Sequence, residues 1–146
     1  MKVVVDALVD TLPAVLNISA IVLALQTVFA IVGLQLYMGA LGECTDPAVP
    51  TRELCEGGGE RWANTAYGSF DNFGEAMRLL YVMSTGDQWE VPMRLMMGAT
   101  AAGVAPGRDD FSPAALFSLA WMFAGYVFAI TLFVGVRSTH AHVVPP

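Results

Sequence analysis

The chain has 146 residues, of which 55% are hydrophobic and 14% are charged, and its formal net charge at pH 7 is −6. A soluble domain usually carries a larger charged share, about a quarter of its residues. The composition therefore excludes an ordinary soluble domain and predicts an integral membrane protein. The negative balance also argues against nucleic acid as a partner, because like charges repel.

The N-terminal part predicts a surface helix followed by a spanning helix. Residues 1–12 have apolar side chains at the spacing of an amphipathic helix lying on a membrane, and Pro13 is expected to break or bend it. From residue 11 to residue 42 no side chain is charged, and this run exceeds the roughly 20 residues that cross a hydrocarbon core. We predict an outer spanning helix over residues 13–39.

A second uncharged run, at residues 111–136, predicts an inner spanning helix over 111–137 with a short tail at 138–146. Lys2 precedes the first span and Arg137 follows the second, so the positive-inside rule places both ends in the cytoplasm. The connection is then extracellular. Residues 43–110 hold eleven acids against five arginines, a balance of −6. This face would concentrate cations, although a solvated polar loop explains the same charge.

The first part of the connection, residues 40–68, contains both cysteines of the chain. Cys44 and Cys55 lie at the ends of "CTDPAVPTRELC", which predicts a disulfide in an oxidising compartment. The spacing is not that of a zinc site, and no histidine is near. We name residues 40–68 the turret.

Residues 69–98 predict a helix, a tight break and a second helix. In "SFDNFGEAMRLLYVMS" the apolar residues recur at helical spacing over about 15 residues, with Ser69 available as a cap. A break at Gly86 precedes the amphipathic piece "QWEVPMRLMMGA", and a loop at 99–110 leads to the second span. Non-helical backbone at membrane depth is tolerated only beside protein or a water-filled cavity. The fold class is therefore predicted as all-α membrane, with two transmembrane helices flanking a re-entrant pore loop.

Three stretches carry a resemblance to a known family. "TGDQW", after the helix that begins "SFDNF", resembles the T-x-[E/D]-x-W selectivity-filter region of the voltage-gated calcium and sodium channel superfamily. "DALVDTLPAVLNISAIVLALQTVFAIVGLQLY" is similar to the linker and outer pore helix, especially of low-voltage-activated calcium channels. "AGYVFAITLFVGV" is similar to the inner helix. The resemblance implies that the chain is one ion-channel pore domain.

The resemblance also implies roles for individual residues. Asp87 would supply one carboxylate to a ring that holds a permeant cation transiently, either Ca²⁺ or Na⁺. Thr85 and Gly86 would line the filter with backbone carbonyls, Trp89 would anchor the filter from behind, and Glu90 would be an acid of the outer vestibule. No enzymatic cofactor is implied.

Simpler interpretations remain open for these residues. Asp87 could cap a helix starting at Gln88, Trp89 could lie in an interfacial aromatic belt, and Glu90 could lie on a solvated helix face. A gate could be formed by three apolar residues of the inner helix, which could equally be lipid or helix contacts. These candidate gate residues are Phe128, Leu132 and Phe133.

One copy of this module cannot enclose a pore. Four such modules must meet, either as separate copies or as homologous repeats of one polypeptide, giving a tetramer or pseudotetramer. The chain has no run with a basic residue at every third position, so a voltage sensor would come from the rest of the channel.

The sequence therefore predicts the pore-forming part of a voltage-gated cation channel, calcium-selective and located in the plasma membrane. The alternatives are a sodium-permeable or nonselective leak channel and, from a different class, a two-span structural or auxiliary membrane protein. An enzyme is not predicted, because no set of nucleophile, base and orienting group is present.

Overall fold

A long N-terminal helix forms one side of the molecule. The computed structural model describes residues 2–107 and 112–127. Helix α1, Lys2–Tyr37, has 36 residues and contains Pro13. Of the predicted break or bend at Pro13, the break is wrong: proline removes one intrahelical N–H donor, but the turns on either side continue the helix. Within α1, the 23-residue segment Val15–Tyr37 is long and apolar enough to cross a membrane, with a mean hydropathy of 2.3 over an 18-residue window.

The turret contains a two-stranded sheet. Strand β1, Gly42–Cys44, pairs antiparallel with β2, Trp62–Asn64. Helix α2, Arg52–Gly57, lies between them in the chain, and a disulfide joins Cys44 of β1 to Cys55 of α2 with a Cα–Cα distance of 5.9 Å. The sheet departs from the predicted all-α class. In β1 the buried residues Gly42 and Cys44 flank the exposed Glu43, as expected for one strand with two different faces.

Two short helices follow the turret, in the segment predicted as a re-entrant pore loop. Helix α3, Phe73–Ser84, begins four residues later than Ser69. Its cap is Asn72, whose side chain accepts a hydrogen bond from the backbone N–H of Glu75 at 2.9 Å. Helix α4, Glu90–Gly98, contains proline only in its first turn, where the backbone N–H groups lack helical partners in any case.

The last described helix is α5, Ala115–Val127. It covers part of the predicted inner helix at 111–137, and the remainder lies outside the described residues. Aromatic rings of α1, α5 and the segment before α3 form the centre of the core, with neighbouring ring centroids 5.2–5.9 Å apart. These rings belong to Phe29, Tyr37, Phe70, Phe117 and Trp121.

Both long helices hold α3 by hydrogen bonds to its backbone. The side-chain amide of Gln26 in α1 donates to the carbonyl of Met77 at 2.8 Å. The indole N–H of Trp121 in α5 donates to the carbonyl of Leu80, also at 2.8 Å. Gln26 and Trp121 are both buried, so water does not compete with these bonds. The position of α3 is therefore fixed from two sides.

The opposite faces of α1 and α5 are apolar and exposed. Such a surface requires lipid or other protein to cover it. Prominent among these residues are Ile21, Leu23, Val28, Leu36, Leu116, Leu119 and Phe123.

Candidate functional site

The chain makes a tight turn between α3 and α4, at residues 84–89, and we name this turn the hairpin. At its start, the hydroxyl of Ser84 donates to the carbonyl of Tyr81 and that of Thr85 to the carbonyl of Val82, each at 2.7 Å. The N–H of Gly86 donates to the carbonyl of Met83 at 3.1 Å. These bonds add donors to the carbonyls of the last turn of α3, where the helical hydrogen-bond ladder ends. The hairpin is therefore tied closely to the end of the helix.

The backbone then leaves the right-handed region at two positions. Gly86 has φ +78°, which glycine adopts without a Cβ penalty. Gln88 has φ +50°, and it is the one residue other than glycine with a positive φ in the described part of the chain. Between them stands Asp87, and residues 84–88 are all exposed. Asp87 is therefore exposed in the middle of the turn.

Three consecutive carbonyl oxygens of this hairpin have no hydrogen-bond donor within residues 2–107 and 112–127. They belong to Thr85, Gly86 and Asp87. Backbone carbonyls need a partner, so water, an ion or a neighbouring chain must provide it. The partly negative C-terminal end of α3 lies beside them and favours a cation.

The four acids of residues 69–98 fall into two groups. Asp71 accepts hydrogen bonds from the N–H of Gly39, at 2.8 Å, and from the side chain of Asn64. Glu75 forms an ion pair with Arg78 at 3.0 Å. The other two acids, Asp87 and Glu90, form no ion pair or side-chain hydrogen bond in the described part of the molecule. These two carboxylates are therefore the ones free to meet a mobile cation.

The structure gives the positions of the other residues predicted beside Asp87, except for the candidate gate. Helix α4 begins at Glu90 and its N-cap residue is Trp89, so Asp87 is not the cap of a helix starting at Gln88. Trp89 is half-buried and packs against the hydrophobic core, whereas Glu90 is exposed in the first turn of α4. The candidate gate residues Phe128, Leu132 and Phe133 lie outside the described residues.

Residues 2–107 and 112–127 contain no group of three or more His, Cys, Asp or Glu side chains that could hold a metal ion. A single Asp87 is too few ligands for a resident metal. A cation held here would therefore need carboxylates or carbonyls from other copies or repeats.

The profile of the family described as "Ion transport protein" matches residues 1–139. The chain belongs to this family. The match covers almost the entire chain and confirms the superfamily predicted from "TGDQW" and its flanking stretches. Membership also agrees with a transport protein and not an enzyme.

Relatives in the ion transport family include both sodium and calcium channels. The chain is 30% identical to sodium channel protein type 11 subunit alpha of Homo sapiens over 144 residues, which is 93% of this chain and 8% of that protein. It is 29% identical to the voltage-dependent T-type calcium channel subunit alpha-1I of Homo sapiens over 147 residues, and 30% identical to subunit alpha-1H of Rattus norvegicus over 145 residues. Both of these matches cover 97% of this chain and 6% of the relative. The chain thus spans less than a tenth of the length of these relatives.

Sequence reasoning did not identify two residues that bear on the hairpin. The hydroxyl of Tyr67, in the turret, donates a hydrogen bond to the side-chain oxygen of Gln88, 21 positions along the chain. Gln88 occupies the variable position between Asp87 and Trp89 in the family pattern, so the pattern assigns no role to it. No local signal links a turret tyrosine to it.

Proposed function

We propose that this chain is the pore module of a voltage-gated cation channel that conducts calcium passively down its gradient. The observation that carries the proposal is the hairpin at residues 84–89, where the carboxylate of Asp87 and three neighbouring carbonyl oxygens have no hydrogen-bond partner among the described residues. Oxygen ligands that are exposed and unsatisfied can replace part of the water around a hard cation.

The charge distribution supports a cation and not an anion. Glu75 and Asp71 are paired with other groups of the chain, whereas Asp87 and Glu90 have no such partner in the part of the chain that the structure describes. The C-terminal end of α3 adds a partial negative charge at the same place. An anion would meet carboxylate, carbonyl oxygens and helix terminus together, all of which repel it.

Conduction requires four such modules around one axis, with the exposed apolar faces of α1 and α5 covered by lipid and by neighbouring modules. The modules are separate copies or repeats of one longer polypeptide. In the second case the voltage sensor belongs to other parts of that polypeptide. The candidate gate residues Phe128, Leu132 and Phe133 follow the described part of α5, and in this proposal they would close the pore by hydrophobic contact at the cytoplasmic side of the plasma membrane.

Sodium is the alternative permeant ion, and a specific observation keeps it as a candidate. Identity to a sodium channel, 30%, equals or slightly exceeds identity to T-type calcium channels, 29–30%. The selectivity depends on how many of the four ring positions carry a carboxylate. A ring of four Asp87 side chains would favour calcium, whereas a ring with fewer acids would favour sodium.

The test is the Asp87→Asn variant in the full-length channel, recorded with calcium outside and a monovalent cation inside. We expect the reversal potential to shift as the preference for calcium falls by about tenfold or more, because each carboxylate contributes charge to a shared site. Glu53→Gln is the matched control: it removes one negative charge from the exposed face of α2 in the turret and should leave the reversal potential unchanged.

Two results would contradict the proposal. If Asp87→Asn conducts with the selectivity of the original protein, Asp87 does not lie in the ion path. If the protein reaches the cell surface and produces no current under depolarisation or at rest, the structural or auxiliary role is favoured instead.

A further inference from the structure

The contact between Tyr67 and Gln88 joins the turret to the tip of the hairpin. The tyrosine hydroxyl donates to the side-chain oxygen of Gln88, the residue directly after Asp87. This is the one side-chain hydrogen bond of Gln88 in the described part of the chain. The bond therefore acts on the peptide unit next to the carboxylate.

Gln88 needs such a bond because its backbone conformation is unfavourable. With φ +50°, it lies in the left-handed region, where a residue with a Cβ is disfavoured and where glycine, asparagine or aspartate are the usual occupants. Without a restraint, Gln88 would relax towards negative φ. That rotation would turn the peptide between Asp87 and Gln88, which redirects the carbonyl of Asp87 and moves its carboxylate.

Tyr67 is itself held in place. It is half-buried and packs against the hydrophobic core. The chain around it forms a tight turn: the N–H of Gly68 donates to the carbonyl of Thr65 at 3.2 Å, and the hydroxyl of Thr65 donates to the carbonyl of Gly68 at 3.1 Å. Gly68 approaches α3 so closely that an added Cβ would lie 3.2 Å from the Cβ of Leu79. Tyr67 is thus a fixed donor and not a mobile loop residue.

We propose that Tyr67 is a positioning residue for ion selectivity, which acts by holding Gln88 in its left-handed conformation and so setting the orientation of Asp87. This inference rests on the proposed function of the hairpin. Tyr67, a turret residue, would thus affect selectivity through its contact with Gln88 and without contacting the ion.

The test is Tyr67→Phe in the full-length channel, which removes only the hydroxyl. We expect a change of about two- to tenfold in the permeability ratio of calcium to a monovalent cation, which is the range that the loss of one hydrogen bond produces in an equilibrium. Surface expression, measured by biotinylation, should stay the same. Tyr81→Phe is the matched control, because Tyr81 is 64% exposed and its hydroxyl makes no hydrogen bond within the described residues.

A double-mutant cycle separates positioning from general structural support. Gln88→Gly removes the side chain that Tyr67 holds and accepts positive φ without strain, so adding Tyr67→Phe to it should cause no further change. Gln88→Met keeps a side chain of similar length without the acceptor, and we expect it to change the permeability ratio as Tyr67→Phe does. This variant provides the test even if Tyr67→Phe does not reach the surface.

The inference is overturned if Tyr67→Phe or Gln88→Met has the original permeability ratio. It is equally overturned if Tyr67→Phe has its full effect in the Gln88→Gly background, because the hydroxyl then acts elsewhere. Asp87→Asn recorded alongside separates the two proposals. An effect of Asp87→Asn without an effect of Tyr67→Phe removes only this inference, whereas no effect of Asp87→Asn removes the proposed function itself.

Discussion

Gly33 shows how one missing side chain permits the packing around the pore loop. The ring of Phe70 occupies the space where a Cβ of Gly33 would lie. Phe70 is fully buried and contacts the rings of Tyr37 and Phe117, with centroids 5.6 and 5.9 Å away, so it has little room to move. Glycine is required at this position of α1 for close approach and not for backbone freedom.

We therefore expect Gly33→Ala to destabilise the protein. Overpacking a core typically costs about 1–3 kcal/mol. The better helix propensity of alanine offsets up to about 1 kcal/mol of this cost, so the size of the packing strain decides whether the substitution is destabilising. The check is the temperature at which the detergent-solubilised protein loses its monodisperse size-exclusion peak, which should fall for Gly33→Ala. Gly57→Ala is the control and should not lower this temperature, since no described atom outside its own helix backbone and its chain neighbours lies within 4 Å of the added Cβ. An unchanged value for Gly33→Ala would contradict the effect of packing strain.

At the residue scale, the sequence predicted the features that follow from side-chain chemistry or from the family pattern. Asp87 and Trp89 were predicted as members of a known motif, and the two cysteines as a pair in a short acidic loop. The contacts of Gln88 and Gly33 were not predicted, because each depends on a partner more than 20 positions away in the chain, and neither residue type signals such a partner. Asn72 replaced Ser69 as the helix cap for a related reason: Ser69 makes hydrogen bonds to Asn64 and Asp71 instead.

At the scale of elements, α3 is held by α1 and α5 and carries the hairpin at its end. The hydrogen bond from Trp121 reaches Leu80, four residues before Ser84. Further along α5, Gly125 comes close to Ser84, where an added Cβ would lie 3.6 Å from the Ser84 Cβ. The inner helix thus contacts the last turn of α3 twice. Its position and that of the hairpin are mechanically linked.

Trp121→Phe should weaken this link. The substitution removes the indole N–H and part of a side chain that is only 1% exposed, so we expect a loss of about 1–3 kcal/mol. The same size-exclusion assay should show a lower transition temperature. Trp62→Phe is the matched control, because the Trp62 indole lies in the turret sheet and makes no hydrogen bond within the described residues. Equal effects of the two substitutions would show that the bond to Leu80 has no special part in stability.

Element types were more predictable than element boundaries. The helices of the pore loop follow from apolar periodicity, and the spanning part of α1 follows from its length without charge. The continuity of α1 through Pro13 was not predicted, because one lost hydrogen bond is a small cost in a helix of 36 residues. The sheet in the turret was missed because strands of three residues are too short to show a period.

At the scale of the whole molecule, the proposal requires several modules to place their hairpins around one ion path. In a single copy, the apolar faces of α1 and α5 are exposed. Three carbonyls of the hairpin also lack a donor among the described residues. Family membership provides the same expectation from sequence. In such an assembly residue 87 would face the path of the ion.

The most direct test of this claim is chemical modification of Asp87→Cys in the full-length channel. Both cysteines of this chain are joined in the disulfide between Cys44 and Cys55, so the introduced thiol is the single free one on the module. A positively charged methanethiosulfonate reagent applied from outside should abolish or strongly reduce the current, and a high concentration of permeant cation should slow the reaction. The original protein should be unaffected. Persistence of the full current after complete modification of the thiol, verified by mass spectrometry, would contradict the account.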